Sequence, residues 1–153
     1  MSDHIIRRAG PVDAPAVDAL TQVAYAKWVP IIGRKPRPML ADYATAVVEH
    51  RIDLVEAHGR LAALVELDQQ PDHLLIVNLA VHPDEQGHGL GKMLLAHAES
   101  VAREAGLPEL RLYTNRLMVV NIALYQRHGY AVDREESIPS GGAAIHMSKR
   151  LPA

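Results

Sequence analysis

The run Leu74-Leu75-Ile76-Val77-Asn78-Leu79-Ala80-Val81-His82-Pro83-Asp84-Glu85-Gln86-Gly87-His88-Gly89-Leu90-Gly91 decides how the rest of the chain is read. It passes from an apolar strand through a short polar turn into a glycine-rich loop that opens a helix. Glycines at alternate positions (Gly87, Gly89, Gly91) remove side chains where successive backbone N–H groups converge. The helix behind them adds unpaired N–H donors and a partial positive charge. Such a loop holds a phosphate or pyrophosphate without needing a basic side chain.

Working outward, Leu90, Met93, Leu94, Val101 and Ala105 recur at helical spacing, which predicts an amphipathic helix from Gly89 to about Glu104. Gly106 supplies its stop and Pro108 follows. Leu110 to Tyr113 reads as a strand, and Leu117 to Arg127 as a helix with Gly129 as a left-handed cap. Tyr130 to Asp133 and Ala143 to Lys149 read as closing strands around the turn Pro139-Ser140-Gly141-Gly142. Upstream, His4 to Ala9 is a first strand, and Asp13 is placed to cap a helix from about Ala14 to Ala26. Trp28 to Pro38 reads as a proline-rich loop, and Leu40 to about Glu49 as a second helix with Tyr43 and Val47 at i, i+4. Ile52 to Ala57 and Arg60 to Leu67 flank His58-Gly59 as a hairpin, and His73 to Val81 is the next strand. The order β-α-α-β-β-β-α-β-α-β-β predicts an α/β (α+β) architecture: one mixed sheet with helices on its faces.

The bulk numbers narrow the function classes. A chain of 153 residues, 48% apolar and 22% charged, fits one soluble globular domain spanning 1–153. A formal charge of −2 gives no case for nucleic acid or an anionic membrane as partner. No segment reaches the ~18 consecutive apolar residues of a membrane span, and the N-terminal stretch lacks an apolar signal region. Zero cysteines exclude disulfides, thiolate metal sites and a cysteine nucleophile, which suits a cytoplasmic protein. Nine histidines are scattered without HExxH spacing, so no metal site is expected.

Gln86-Gly87-His88-Gly89-Leu90-Gly91 resembles the [Gln/Arg]-x-x-Gly-x-[Gly/Ala] loop of the GNAT superfamily of N-acetyltransferases. The strand ending Leu79-Ala80-Val81-His82-Pro83 resembles the family's entry into that loop. Leu124-Tyr125-Gln126-Arg127-His128-Gly129-Tyr130 resembles the end of its Asn-x-x-Ala-x-x-Leu-Tyr-x-x-x-Gly-[Phe/Tyr] segment. The front of that segment departs from the pattern. Aligned on Tyr125, the family's alanine falls at Asn121 and its asparagine at Met118.

The resemblance implies the GNAT fold: a mostly antiparallel mixed sheet of about six or seven strands, about four helices, and a splay at the cofactor strand. It also implies acetyl-CoA (coenzyme A) as donor, with backbone groups of Gln86, Gly87, His88, Gly89, Leu90 and Gly91 holding the pyrophosphate. Val81 would meet the pantetheine arm, and the Leu79 N–H would face the thioester carbonyl. Tyr125 would protonate the departing thiolate, with Asn121 one turn before it on the same helix face. Trp28 and Tyr25, near the end of the first helix, are candidates for the acceptor wall; the bland alternative is that Tyr25 and Trp28, at i, i+3, anchor that helix on the core. A homodimer is a further expectation by resemblance.

Chemistry agrees with these roles. Acetyl transfer to an amine needs a group to take the amine's proton, donors for a developing oxyanion, and a proton for sulfur. A phenol with reference pKa ~10 stays protonated near neutrality and suits the last task. The first task lacks its usual residue: some members carry a strand glutamate where this chain has Leu75. Glu66, Asp68, His73 and His82 are the substitutes, Glu66 first if it faces the cleft, although a solvated strand carboxylate is its bland reading. The expected activity is direct transfer to a primary amine of a small-molecule acceptor through a ternary complex. A non-catalytic acyl-CoA-binding module and a peptide N-terminal acetyltransferase are the alternatives. A P-loop or Rossmann protein is disfavoured, because the loop lacks a Gly-Lys-[Ser/Thr] end and no Gly-x-Gly-x-x-Gly follows an early strand.

Overall fold

A computed structural model describes residues 4–139 and 141–152; Ser140 of the expected closing turn lies outside them. The strands are β1 (Ile5–Arg8), β2 (Arg51–Ala57), β3 (Arg60–Gln69), β4 (Leu74–Val81), β5 (Glu109–Asn115), β6 (Ala131–Ser137) and β7 (Ala143–Arg150). The helices are α1 (Ala14–Tyr25), α2 (Val29–Ile32), α3 (Tyr43–Glu49), α4 (Leu90–Glu104) and α5 (Val119–Arg127). One seven-stranded sheet runs β1-β2-β3-β4-β5-β7-β6. Every neighbour pair is antiparallel except β4 and β5, which run parallel. That exception follows from connectivity, because α4 carries the chain back over the sheet as a crossover.

Strands β2, β3 and β4 are buried on both faces, and each face has its own apolar layer. Leu90, Leu94, Leu95, Ala98 and Ala102 of α4 pack on Val55, Val65, Leu67 and Ile76. Val17, Leu20 and Ala24 of α1, with Ala46 and Val47 of α3, pack on Ile52, Leu54, Leu64 and Ala80. β3 feeds both layers, which is why it reads as a nearly unbroken apolar run. The edge strand β6 is exposed along its length, and its Asp133, Arg134, Glu135 and Glu136 discourage pairing with another chain.

Several local expectations shift. Asp13 sits at the start of α1, but its carboxylate accepts from Gly10 N (2.9 Å) and from the Arg7 guanidinium rather than capping the helix. Those donors hold its carboxyl down at about 2. The segment between α1 and α3 is not open loop: it holds two 3-10 turns, Ala26–Trp28 and Arg37–Leu40, with α2 between them. Pro30 sits in the first turn of α2, where no intrahelical N–H is needed, and Gly33 ends it at φ 87°. The following helix begins at Tyr43, later than Leu40, because Asp42 caps it by accepting from Ala44 N and Thr45 N.

Candidate active site

A single extra residue in β4 shapes the site. Glu66 of β3 pairs with Asn78, but the next residue, Leu67, pairs with Ile76, so Val77 has no partner and forms a bulge. The bulge exchanges the faces of the strand. Leu74 and Ile76 belong to the α4 layer, whereas Asn78 bonds to α1 and α3 side chains and Ala80 packs in their layer. Pairing of β4 with β5 also stops there, covering only Leu74–Ile76 against Leu110–Leu112. From Val77 to Val81 the two strands are splayed.

Hydrogen-bond parity then says which backbone groups face the gap. His82 N–H donates to Ala62 O (2.8 Å), and the register pairs Ala63 with Val81 and Val65 with Leu79. In an antiparallel ladder, bonded and non-bonded pairs alternate, so Ala63·Val81 and Val65·Leu79 are the non-bonded pairs. The N–H and C=O groups of Leu79 and Val81 therefore turn away from β3, towards the splay. Their carbonyls are met by side chains: Tyr25 Oη lies 3.2 Å from Leu79 O, sharing its one hydrogen between that oxygen and Asn78 Oδ1, and Gln86 Nε2 donates to Val81 O (3.4 Å). Their N–H groups are left for a ligand lying in the groove as an added strand.

At the lower end of this groove lies the glycine loop. Gly87 and Gly89 adopt φ 85° and 81°, the left-handed region that side chains rarely enter. A Cβ added at either would meet no atom within 4 Å, so the loop presents bare backbone to open space. α4 starts at Leu90 with Gly89 as its cap residue, and its first N–H groups point into the same space. The arrangement fits a phosphate-bearing group. His88 does not point there: its Nδ1 lies 3.5 Å from Glu85 Oε2. Burial opposes ionisation of Glu85, but His88 and Arg60 outweigh it and hold the carboxyl below the usual range. Lys27, which the sequence reading passed over, bonds through Nζ to Gln86 Oε1 (3.2 Å) and brings a cation to the loop.

Between the splayed strands and the α1–α3 segment lies a cavity of about 960 Å³. Leu79, Asn121, Tyr125, Tyr25 and Glu66 all line it. Glu66 is only 3% exposed, so the solvated reading of that carboxylate is overturned. It follows an apolar run on β3 and faces the α1–α3 side beside Asn78. Its Oε2 lies 2.6 Å from His50 Nδ1. Tyr25, Asn78 and Tyr43 form a satisfied network in the cavity wall: Tyr25 Oη donates to Asn78 Oδ1 (2.9 Å), Asn78 Nδ2 to Tyr43 Oη (3.1 Å), and Tyr43 Oη to Pro38 O (2.7 Å). Tyr25 thus does more than anchor its helix. Trp28 takes the second of its two readings: it is 6% exposed and packs in the α1–α3 layer, outside the cavity lining, where burial of a large indole is favourable.

The other candidate bases are not brought in. Asp68 accepts from Gln70, His73 pairs with Asp72, and His82 accepts from Asp84 N. Leu75 and His73 line a separate polar hollow of about 510 Å³ on the β5–β7–β6 side. Met118, where the family motif has asparagine, is buried in the α1–α3 layer and touches the cavity. His50 had no signal in sequence, being one histidine at a helix end. Glu66 had one: a carboxylate at the end of an apolar strand run. Among the described residues no three His, Asp or Glu side chains gather as a metal site. No helix among them is long and apolar enough to cross a membrane.

Burial pushes the phenols up: Tyr125 to about 12, Tyr43 to about 12, and Tyr25 and Tyr130 also upward. Tyr125 therefore keeps its proton throughout the neutral range. Unfolded phenols titrate near ~10, so the unfolded chain releases protons that the folded chain retains until about pH 12. Stability is unaffected by these groups below pH ~10 and falls as pH rises from there, by about 1 kcal/mol per shielded phenol at pH ~11. Urea midpoints at pH ~8 and ~11 check this; equal midpoints would mean that the phenols reach water.

The family model described as "Acetyltransferase (GNAT) family" matches residues 17–130. The chain belongs to the GNAT acetyltransferase family. This GNAT chain is 35% identical over 106 residues to streptothricin acetyltransferase of Streptomyces lavendulae, covering 64% of this chain and 56% of that one. The chain spans about half the length of the curated relatives it matches. Its GNAT fold is shared with PaiA N-acetyltransferase from Thermoplasma acidophilum, solved in complex with coenzyme A: TM-score 0.83, 20% identity, 99% of this chain and 100% of that one. The ribosomal-protein-S18-alanine N-acetyltransferase of Escherichia coli superposes with TM-score 0.79 at 23% identity, covering 98% and 95%.

Proposed function

We propose that this protein is an acetyl-CoA-dependent N-acetyltransferase that acts directly on a primary amine of a small-molecule acceptor. The observation that carries the reading is the Leu79 N–H, turned off the ladder into the same cavity that Tyr125 and Glu66 line. Coenzyme A fits the bare amides of Gly87 to Gly91, the exposed edge of β4 at Val81 and the side of α5 carrying Asn121. When bound, acetyl-CoA supplies an acetyl group activated as a thioester.

The chain's own residues supply the rest. Glu66 takes the proton from the amine nitrogen as that nitrogen bonds to the acetyl carbon. The Leu79 N–H donates to the carbonyl oxygen as its charge grows. Tyr125 gives its proton to sulfur as the carbon–sulfur bond breaks, leaving an amide and a free thiol, and regains a proton from water before the next turnover, as its raised phenol pKa favours. Tyr25 and Tyr43 hold Asn78, and through it the bulged stretch of β4, so that the Leu79 N–H stays aimed.

Thiol release from acetyl-CoA, measured against a panel of small primary amines and an N-terminal-alanine peptide, tests the reading. Amine-dependent thiol release, with the acetylated small amine found by mass spectrometry, is expected. Tight coenzyme A binding with no turnover on any acceptor would favour a binding module, the reading that Leu75 supports. Turnover on the peptide alone would favour N-terminal acetylation.

Cofactor binding has its own check. Gly89→Val forces a β-branched residue into a φ of 81°. Strain of about 1–3 kcal/mol is relieved by moving the loop, weakening coenzyme A binding by roughly 10- to 100-fold. Gly91→Ala is the control, since its added Cβ would lie 3.7 Å from Leu124 Cδ2, an ordinary contact. Calorimetric affinities for both variants decide, and an unchanged Gly89→Val would remove the loop from the binding site.

A further inference from the structure

A buried base must be emptied after each turnover. Glu66, 3% exposed, faces a cavity whose opening an acceptor would occupy. Behind it stands a second group. His50 directly follows α3, its backbone N–H bonded to Ala46 O (2.9 Å), which fixes where its backbone leaves the helix. Its Nδ1 lies 2.6 Å from Glu66 Oε2, and its Nε2 lies 3.6 Å from Asp68 Oδ2. Side-chain exposure rises along this line, from 4% at Glu66 to 26% at His50 and 30% at Asp68. Tyr25 of α1 and Tyr43 of α3 also line the cavity beside the pair, and both phenols are raised in part by the Glu66 charge.

We propose that His50 is a positioning residue that holds the Glu66 carboxylate towards the amine and carries its proton outward past Asp68. The proposal rests on the reading of Glu66 as the base. An imidazole can take a proton at one nitrogen and release one from the other near neutrality. The step balances simply. At rest Nδ1–H donates to the Glu66 carboxylate. Once Glu66 has taken the amine's proton, His50 exchanges to its Nε2–H form through water. Nδ1 then takes the Glu66 proton, and Nε2 releases its own to water near Asp68, which restores the carboxylate and the resting Nδ1–H.

The decisive variants are His50→Asn, which offers Glu66 a donor near the Nδ1 position but has no second nitrogen, and His50→Ala, which leaves the carboxylate unpaired. Coenzyme A affinity of both, measured by calorimetry, should match wild type and show that they fold. His50→Asn should lower kcat about 10-fold, less than the ~100-fold or more that loss of a base costs. Added imidazole should raise kcat of His50→Ala several-fold and leave wild type unmoved. A His50→Asn enzyme with wild-type kcat, or a His50→Ala defect that imidazole does not alter, overturns the outlet. The same assay separates the two readings. No amine-dependent thiol release by wild type, or full activity of Glu66→Gln, brings down the proposed function or its base. An active wild type, a crippled Glu66→Gln and an unaffected His50→Asn overturn the outlet alone.

Discussion

Replacing Tyr125 by phenylalanine will lower kcat by about 100- to 1,000-fold while coenzyme A affinity stays within about twofold. The size follows from general acid catalysis, which supplies roughly 10²–10⁴ when a positioned group gives up its proton in the transition state. The selectivity follows from packing. Tyr125 is 7% exposed, and its ring meets Tyr130 edge-on at 6.0 Å, so phenylalanine keeps the buried area and loses only the hydroxyl. With burial holding the phenol at about 12, its proton is in place at every pH where an amine substrate is handled. Activity should therefore show no alkaline limb from Tyr125 below pH ~11. Steady-state kinetics with saturating acetyl-CoA, beside calorimetric affinity for coenzyme A, test both halves. Undiminished turnover in Tyr125→Phe would assign the thiolate's proton to solvent.

Glu66→Gln is expected to cost about 100-fold or more in kcat/KM for the amine, again with cofactor affinity preserved. Glutamine has the same shape and can still bond to His50, so the substitution removes basicity and charge without opening a hole beside Asn78. The loss should shrink for acceptors whose amine is already neutral at the assay pH, because those need less help shedding a proton. A series of amines of falling pKa at one pH makes that visible as converging wild-type and variant rates. A constant ratio across the series would point to Glu66 as a binding charge for the cationic acceptor rather than a base.

How the residues of the site could be foreseen depended on how far their partners lie along the chain. The glycine loop, α4 and the Tyr125 segment are local objects. Helical periodicity and a helix-capping glycine are set by neighbours a few residues away: α4 and α5 form within two residues of their expected starts, and Gly129 is left-handed as expected. Element edges moved where a local competitor was overlooked. Asp42 rather than Leu40 starts α3, since a capping carboxylate satisfies two N–H groups. Asp13 fails to cap α1 because Arg7, held on β1, outcompetes the helix for its carboxylate.

The burial of Glu66 and the pairing of His50 had no comparable local cause. A carboxylate at the end of an apolar strand carries a hint, but only the stacking of α1 and α3 over β3 removes it from water. His50 reaches it across 16 residues of chain, through the turn from α3 into β2 and back along β3. For Trp28 the sequence left the acceptor wall and the core both open, and the packing of α1 on the sheet placed it in the core.

The bulge at Val77 marks the boundary most clearly. Along β4, apolar residues are interrupted only by Asn78, and nothing in their order says where the strand changes faces. Alternation alone would align Leu74, Ile76, Asn78 and Ala80 on one side. Their partners divide them: Leu74 and Ile76 to α4, Asn78 and Ala80 to α1 and α3. Residue chemistry and short-range periodicity were enough for the order of the strands and of every helix but α2, for the glycine loop and for the helix that presents Tyr125. The splay of β4 from β5, the outward turn of the Leu79 N–H and the meeting of Glu66 with His50 came from pairing between distant strands. A one-residue offset there costs little locally and changes every side-chain direction beyond it.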